Sequence, residues 1–186
     1  IQVPLTPQDQ KRLAPARALN PEAFDLYLKG THLRDTANTT GEYAKAVPYL
    51  AAAIAKDSGY AAAYAGLASV YVSTNDTLRA RAFIEKALAL DSTIAEAHMV
   101  RGMIRQFLDW DLKGSEQSLR EAIRLNPGFA EAHHELSMLL QRVKRFDEAL
   151  QAGRQAVAHA PTSLRFINGI GEVLLSAGRD AEALAI

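Results

Sequence analysis

Residues 131 to 136 read EAHHEL, with imidazoles at His133 and His134 and carboxylates at Glu131 and Glu135. These are the residue types of a helical zinc centre, where two histidines hold the ion and a glutamate serves as base. The spacing does not suit that chemistry. The H-E-x-x-H signature sets its histidines four apart so that both rings leave one helix face, whereas adjacent residues point about 100° apart. A composite of His98, His133 and Glu131, as a metal-dependent hydrolase would need, requires two separate segments to converge. Packing is the expected role of these histidines, and His32 and His159 stand isolated. SEQSLRE and PTSLRF hold serines without a matched base, and GIGEV falls in a helical pattern rather than a glycine-rich loop after a strand. Asp109 and Asp111 flank Trp110 in an expected turn, where they read as caps of the next helix with Trp110 covering its apolar edge.

Composition narrows the classes further. The chain has 186 residues, 48% of them hydrophobic, and its 21 basic residues balance 21 acidic ones. Zero net charge argues against a broad nucleic-acid footprint, which needs a basic surface excess. With no cysteine, disulfides, thiolate catalysis and Cys-based zinc sites are excluded. No apolar run is long enough to cross a bilayer. The start IQVPLTPQDQ is neither a Met start nor a basic targeting region, and RDAEALAI ends inside an amphipathic pattern, so the sequence reads as a piece of a longer protein, cytoplasmic by default.

EAHMVRG at 96 to 102 repeats the opening of EAHHEL 35 residues earlier. The pairs Asp57-Ser58, Asp91-Ser92, Asn126-Pro127 and Ala160-Pro161 follow one another at 34, 35 and 34 residues, and Ala53, Ala87, Ala122 and Ala156 keep that spacing. Within a unit, AYAGLASVYV and RAFIEKALAL each carry apolar residues at helical intervals, joined by a turn such as STND or AGRD. Each unit is two helices. Small residues at Gly30, Ala68, Gly102, Ser137 and Gly171 are expected where paired helices approach closely. Asn20-Pro21-Glu22 reads as a helix start, and Thr39 to Glu42 and Thr93 to Glu96 fit the capping box.

Tyr64, Leu67, Ala68 and Tyr71, followed by Ala80, Ile84 and Ala87, resemble the tetratricopeptide repeat, a helix pair of about 34 residues. The resemblance implies an all-α fold, a right-handed superhelix (α-solenoid) of antiparallel helix pairs. Four full repeats are expected at about 21–59, 60–93, 94–128 and 129–162, with a partial fifth at 163–186, after a lead-in segment at 1–20 with a short helix. The first unit carries extra residues in DTANTTGEY and the third carries one near LDWDLKG. PLTPQDQKRLA, NPEAFDLYLKG and the runs that follow are also similar to tetratricopeptide regions of bacterial multidomain signalling proteins, attached there to winged-helix, kinase or cyclase domains.

The resemblance further implies a concave groove lined by the first helix of each pair, which takes a peptide or helix of a partner protein. Its residues here would be Tyr27, Thr31, Arg34, Ala65, Ser69, Val72, Met99, Met103, Gln106, His134, Met138, Gln141, Asn168 and Glu172. All three methionines fall on this set, either as adaptable groove contacts or as fillers between helices. The lysine and asparagine clamp that some such domains use for acidic C-termini is not matched, since Tyr27, Thr31 and Gly66 stand at the comparable places. Arg101 and Arg105 occupy places where other units carry leucine, isoleucine or tyrosine, and would pack by their stems, pair with an acid, or mark a polar interface. The expected function is a non-catalytic interaction scaffold of a larger regulatory or signalling protein, needing no cofactor and no metal. The alternative is a module that forms a homodimer through its C-terminal end.

Overall fold

The computed structural model describes residues 20–37 and 39–186; apart from Asn20, the expected lead-in segment lies outside them. The described residues fold into helices stacked in pairs. Asn20 starts the first, α1 (Pro21–Asp35), by accepting from the backbone N–H of Glu22 at 2.9 Å and of Ala23 at 3.3 Å. Pro21 follows in the first turn, where no N–H is required. The extra residues of the first unit form a short helix of their own, α2 (Thr40–Ala44), held by a reciprocal capping box between Thr39 and Glu42. The partner of α1 is then α3 (Val47–Lys56). Three regular pairs follow: α4 (Ala61–Ser73) with α5 (Thr77–Leu90), α6 (Ala95–Phe107) with α7 (Leu112–Leu125), and α8 (Ala130–Arg142) with α9 (Phe146–His159). The last elements are α10 (Leu164–Ser176) and the four-residue α11 (Asp180–Ala183).

The helix pairs close on small residues, as expected for most of them. A methyl group on Gly30 would lie 2.7 Å from Leu50 Cγ, and one on Gly102 would lie 2.9 Å from Leu119 Cγ. Ala68 is fully buried, and the Ser137 hydroxyl donates across its pair to the Ala149 carbonyl at 2.7 Å. Gly171 departs from the expectation. Among the described residues no atom stands within 4 Å of the place its methyl would take. Leu50, Leu67, Ile84, Leu119, Leu140 and Val173 then fill the seam from one end to the other.

The turn inside each pair recurs with the repeat. Asn75, Lys144 and Gly178 take the left-handed conformation (φ 59°, 61° and 70°) and close Schellman motifs. In these, the N–H groups of Asp76, Arg145 and Arg179 bond back to the carbonyls of Tyr71, Leu140 and Leu174 at 2.8, 2.9 and 2.9 Å. The third unit carries its extra residue here: Trp110 takes the left-handed place (φ 57°), and Asp111 N–H reaches Arg105 O at 2.9 Å, a loop one residue longer. Asp111 caps α7 through Gly114 N–H at 2.8 Å, as expected. Trp110 does not cover an apolar edge; it is 74% exposed. Between pairs, Asp57, Asp91 and Asn126 accept from the N–H two residues on at 3.0, 2.8 and 3.2 Å, forming Asx turns at the repeat period. The expected Thr93–Glu96 capping box is absent, since Thr93 bonds Asp91 instead and Ile94 takes the cap position without a side-chain bond.

Candidate functional site

The first helices α1, α4, α6, α8 and α10 touch one another in succession and share one face. Two adjoining hollows open on it. The first, of about 250 Å³, is lined by Arg34, Asp35, Tyr43, Ser69, Ser73, Glu96, Met99, Met103, Phe129, Glu131, Glu135 and Arg165. The second, of about 510 Å³, is lined by Gln106, Phe107, His134, Glu135, Met138, Gln141, Arg142, Arg165 and Ser176. Glu135 and Arg165 border both.

Charged pairs cross the floor of this face. Arg34 on α1 pairs with Glu96 on α6 and, through Nε at 2.8 Å, with Asp35, while the Tyr27 hydroxyl donates to Glu96 at 3.4 Å. Burial opposes the Arg34 charge, but the two carboxylates outweigh it and hold the guanidinium above its ordinary pKa. The Tyr27 phenol is pushed up by burial and by the Glu96 charge. Further along, Arg165 on α10 pairs with Glu135 on α8 at 2.8 Å. Burial raises the Glu135 carboxyl above the usual range, although Arg165 pulls the other way. Beside it, the His134 ring lies 5.0 Å from the Phe166 ring and over Gly169, where a methyl group would come within 2.9 Å of the imidazole. Burial, assisted by the Arg165 charge, lowers the His134 pKa to about 4, so the ring is neutral at physiological pH.

Of the residues expected in a groove, Arg34, Ser69, Met99 and Met103 line the first hollow, and Gln106, His134, Met138 and Gln141 line the second. Tyr27, Thr31, Ala65, Val72, Asn168 and Glu172 line neither. Tyr27 packs on Tyr60 with ring centroids 5.0 Å apart, Thr31 bonds back to the carbonyls of Tyr27 and Leu28, and the Glu172 carbonyl accepts from Gln141 at 3.1 Å. The two roles weighed for the methionines coexist: Met99 is 8% exposed and part of the core, while Met103 and Met138 pack against that core and are half-buried.

Sequence reasoning left out of the groove a column of residues one turn nearer each helix start. Ala62, Glu96, Glu131 and Arg165 recur at intervals of 34, 35 and 34, one place inside each first helix. The acids there read as partners of the helix dipole. Their recurrence three places before Ala65, Met99, His134 and Asn168 was the available signal, because a spacing of three keeps residues on one helix face.

The remaining candidates are engaged within the fold. His98 and His133 each bond a carbonyl of the preceding turn, Ser92 O at 2.8 Å and Pro127 O at 2.9 Å. His159, expected to be isolated, stacks on His133 with ring centroids 5.6 Å apart. Arg105 donates to Gly114 O at 2.9 Å and to the Ser118 hydroxyl at 3.1 Å, so it ties α6 to α7. Arg101 lies against His98 at 2.9 Å, and burial lowers its pKa. Among the described residues no group of three or more His, Asp and Glu side chains is placed to share a metal ion, and no helix is long and apolar enough to cross a membrane.

Stacked helix pairs with this period and these small-residue contacts make an all-helical solenoid of the kind that tetratricopeptide repeats build. Residues 39–104 match the family model for the tetratricopeptide repeat. Solved structures share the fold across most of the chain. A thermophilic tetratricopeptide-repeat protein of Thermus thermophilus, TTC0263, is 21% identical, with a TM-score of 0.74 over 88% of this chain and 87% of its own. MamA is 22% identical, with a TM-score of 0.58 over 87% and 88%. YrrB, described as a TPR protein with an unusual peptide-binding site, is 23% identical, with a TM-score of 0.54 over 88% and 81%. No curated protein sequence matches the chain.

Proposed function

We propose that this chain is a non-catalytic protein-interaction scaffold that holds an extended segment of a partner protein on the shared face of α1, α4, α6, α8 and α10, within a larger regulatory or signalling protein. The observation that carries this reading is the continuity of the two hollows. Met99, Met103, Phe129 and Met138 offer adaptable apolar contact among polar groups that are fixed by one another, so a segment laid along the face meets a prepared surface. The fold similarity to YrrB supports a peptide as the ligand.

Met103→Glu with Met138→Glu is the direct test, because both side chains are half-buried at the surface of the core whereas Met99 belongs to it. The double variant is expected to keep its helical circular dichroism and lose at least about tenfold in partner affinity, the cost of placing charge in an apolar contact. Unchanged affinity would move binding off this face. Self-association is the second reading, favoured by Leu175 on α10 and Leu184 just after α11, which are 58% and 89% exposed. A light-scattering mass that stays monomeric as concentration rises would dispose of it.

A further inference from the structure

The chemistry of the segment can be read from the charges on this face, an inference that rests on the groove reading above. The first hollow sets four carboxylates, Asp35, Glu96, Glu131 and Glu135, around two guanidiniums, Arg34 and Arg165. Both guanidiniums are committed, Arg34 to Glu96 and Asp35, and Arg165 to Glu135. Glu131 is left over: it is exposed on the first turn of α8, and no described cation forms an ion pair with it. The whole chain has zero net charge, so the negative surplus is local to this hollow. Met99, Met103 and Phe129 supply an apolar floor next to it. The second hollow has no such surplus, with Arg142 and Arg165 facing Glu135.

A second observation comes from the adjoining hollow. Gln106 is 1% exposed, and among the described residues its side-chain oxygen has no hydrogen-bond partner. A buried amide oxygen left unpaired costs free energy that a donor from outside would recover. Gln106 lines the same hollow as Met138 and Gln141, where a segment running along the face would pass with its amide groups. Cation at one end and amide donor at the other define the occupant.

We propose that the face takes an extended protein segment carrying a lysine or arginine, whose charge is met by Glu131, whose aliphatic stem lies on Met99 and Met103, and which donates one amide N–H to Gln106. Lysine and arginine suit the first hollow because each joins a cation to an apolar stem. A carboxylate in the same place would meet the surplus acid and be rejected.

The probe is a set of degenerate dodecapeptides, each with one central position fixed as Lys, Arg, Leu or Glu, passed over the folded chain. The Lys and Arg sets are expected to be retained over the Leu and Glu sets. Glu131→Gln, an exposed substitution that breaks no ion pair among the described residues, is expected to weaken the best Lys peptide about tenfold, the scale of one charge-assisted hydrogen bond. Glu131→Arg is expected to remove the preference for a cation, and Gln106→Met to weaken all peptides without changing the preferred charge. Equal retention of the Lys and Glu sets, or equal affinity of the wild type and Glu131→Gln, would overturn the basic-segment inference and leave the groove reading standing. Retention of every set equally by the wild type and the Met103→Glu, Met138→Glu variant would overturn both.

Discussion

His134 shows how the fold sets the charge state of a residue that sequence reasoning places in the groove. Its ring is held between Phe166 and the bare backbone of Gly169, and burial keeps it neutral. The linkage has a definite sign. A histidine with a folded pKa of about 4 and an unfolded one near 6.5 contributes stability above pH 6.5 that is lost as the pH falls toward 4, because the unfolded chain binds the proton first. Glu135 works the other way, since its raised carboxyl favours the folded state as the pH falls. Urea titrations of the wild type and His134→Phe between pH 7 and pH 4 should therefore diverge, with the wild type losing up to about 3 kcal/mol more. Parallel curves would show that the imidazole is protonated without cost in the folded state.

At the scale of the helix pair, glycine has opposite consequences in two repeats. Gly102 faces the buried branch carbon of Leu119, so Gly102→Ala should destabilise the chain by about 1–3 kcal/mol despite the better helix propensity of alanine. Gly171 faces open space, and Gly171→Ala should stabilise it by up to about 1 kcal/mol. Thermal melts of both variants check the pair of signs. The turns give a companion prediction: Lys144 holds φ 61° in a position that Gly178 fills in a later repeat, so Lys144→Gly should raise stability by about 0.5–1 kcal/mol in a denaturant melt.

These elements were largely legible in the sequence. The 34-residue recurrence, the small residues at Gly30 and Gly102 and the caps at Asn20 and Asp111 all follow from local rules that act within one or two helices. What escaped reading depends on tertiary neighbours. Gly171 looks like Gly102 in sequence and differs only in what packs against it, and Glu96 fits a capping box until Arg34 draws it across two repeats. The left-handed place taken by Asn75, Trp110 and Lys144 carries no fixed residue type, so its recurrence emerges only from the backbone.

Across the whole molecule, stacking alone would tie each repeat only to its neighbours. The Arg34–Glu96 pair reaches further, from α1 past α4 to α6, with both side chains mostly buried at 14% and 16% exposure. Glu96→Gln should destabilise the chain by about 2–4 kcal/mol, because it removes the main partner of a partly buried guanidinium. Adding Arg34→Met should recover much of that loss, as a double-mutant cycle by chemical denaturation would show.

The candidate face was half legible. Arg34, Ser69, Met99, Met103, Gln106, His134, Met138 and Gln141 were reachable by carrying repeat positions forward, whereas the column of Glu96, Glu131 and Arg165 was hidden behind a plausible dipole role. The absence of cysteine makes the central claim open to direct measurement, since one introduced thiol can be labelled alone. A photoreactive group attached at Met103→Cys or Met138→Cys should crosslink the bound segment, and the same group at Lys86→Cys, exposed on α5 of the second helix row, should not. Crosslinking confined to the two groove positions is the predicted result; equal or stronger crosslinking from position 86 would contradict the account.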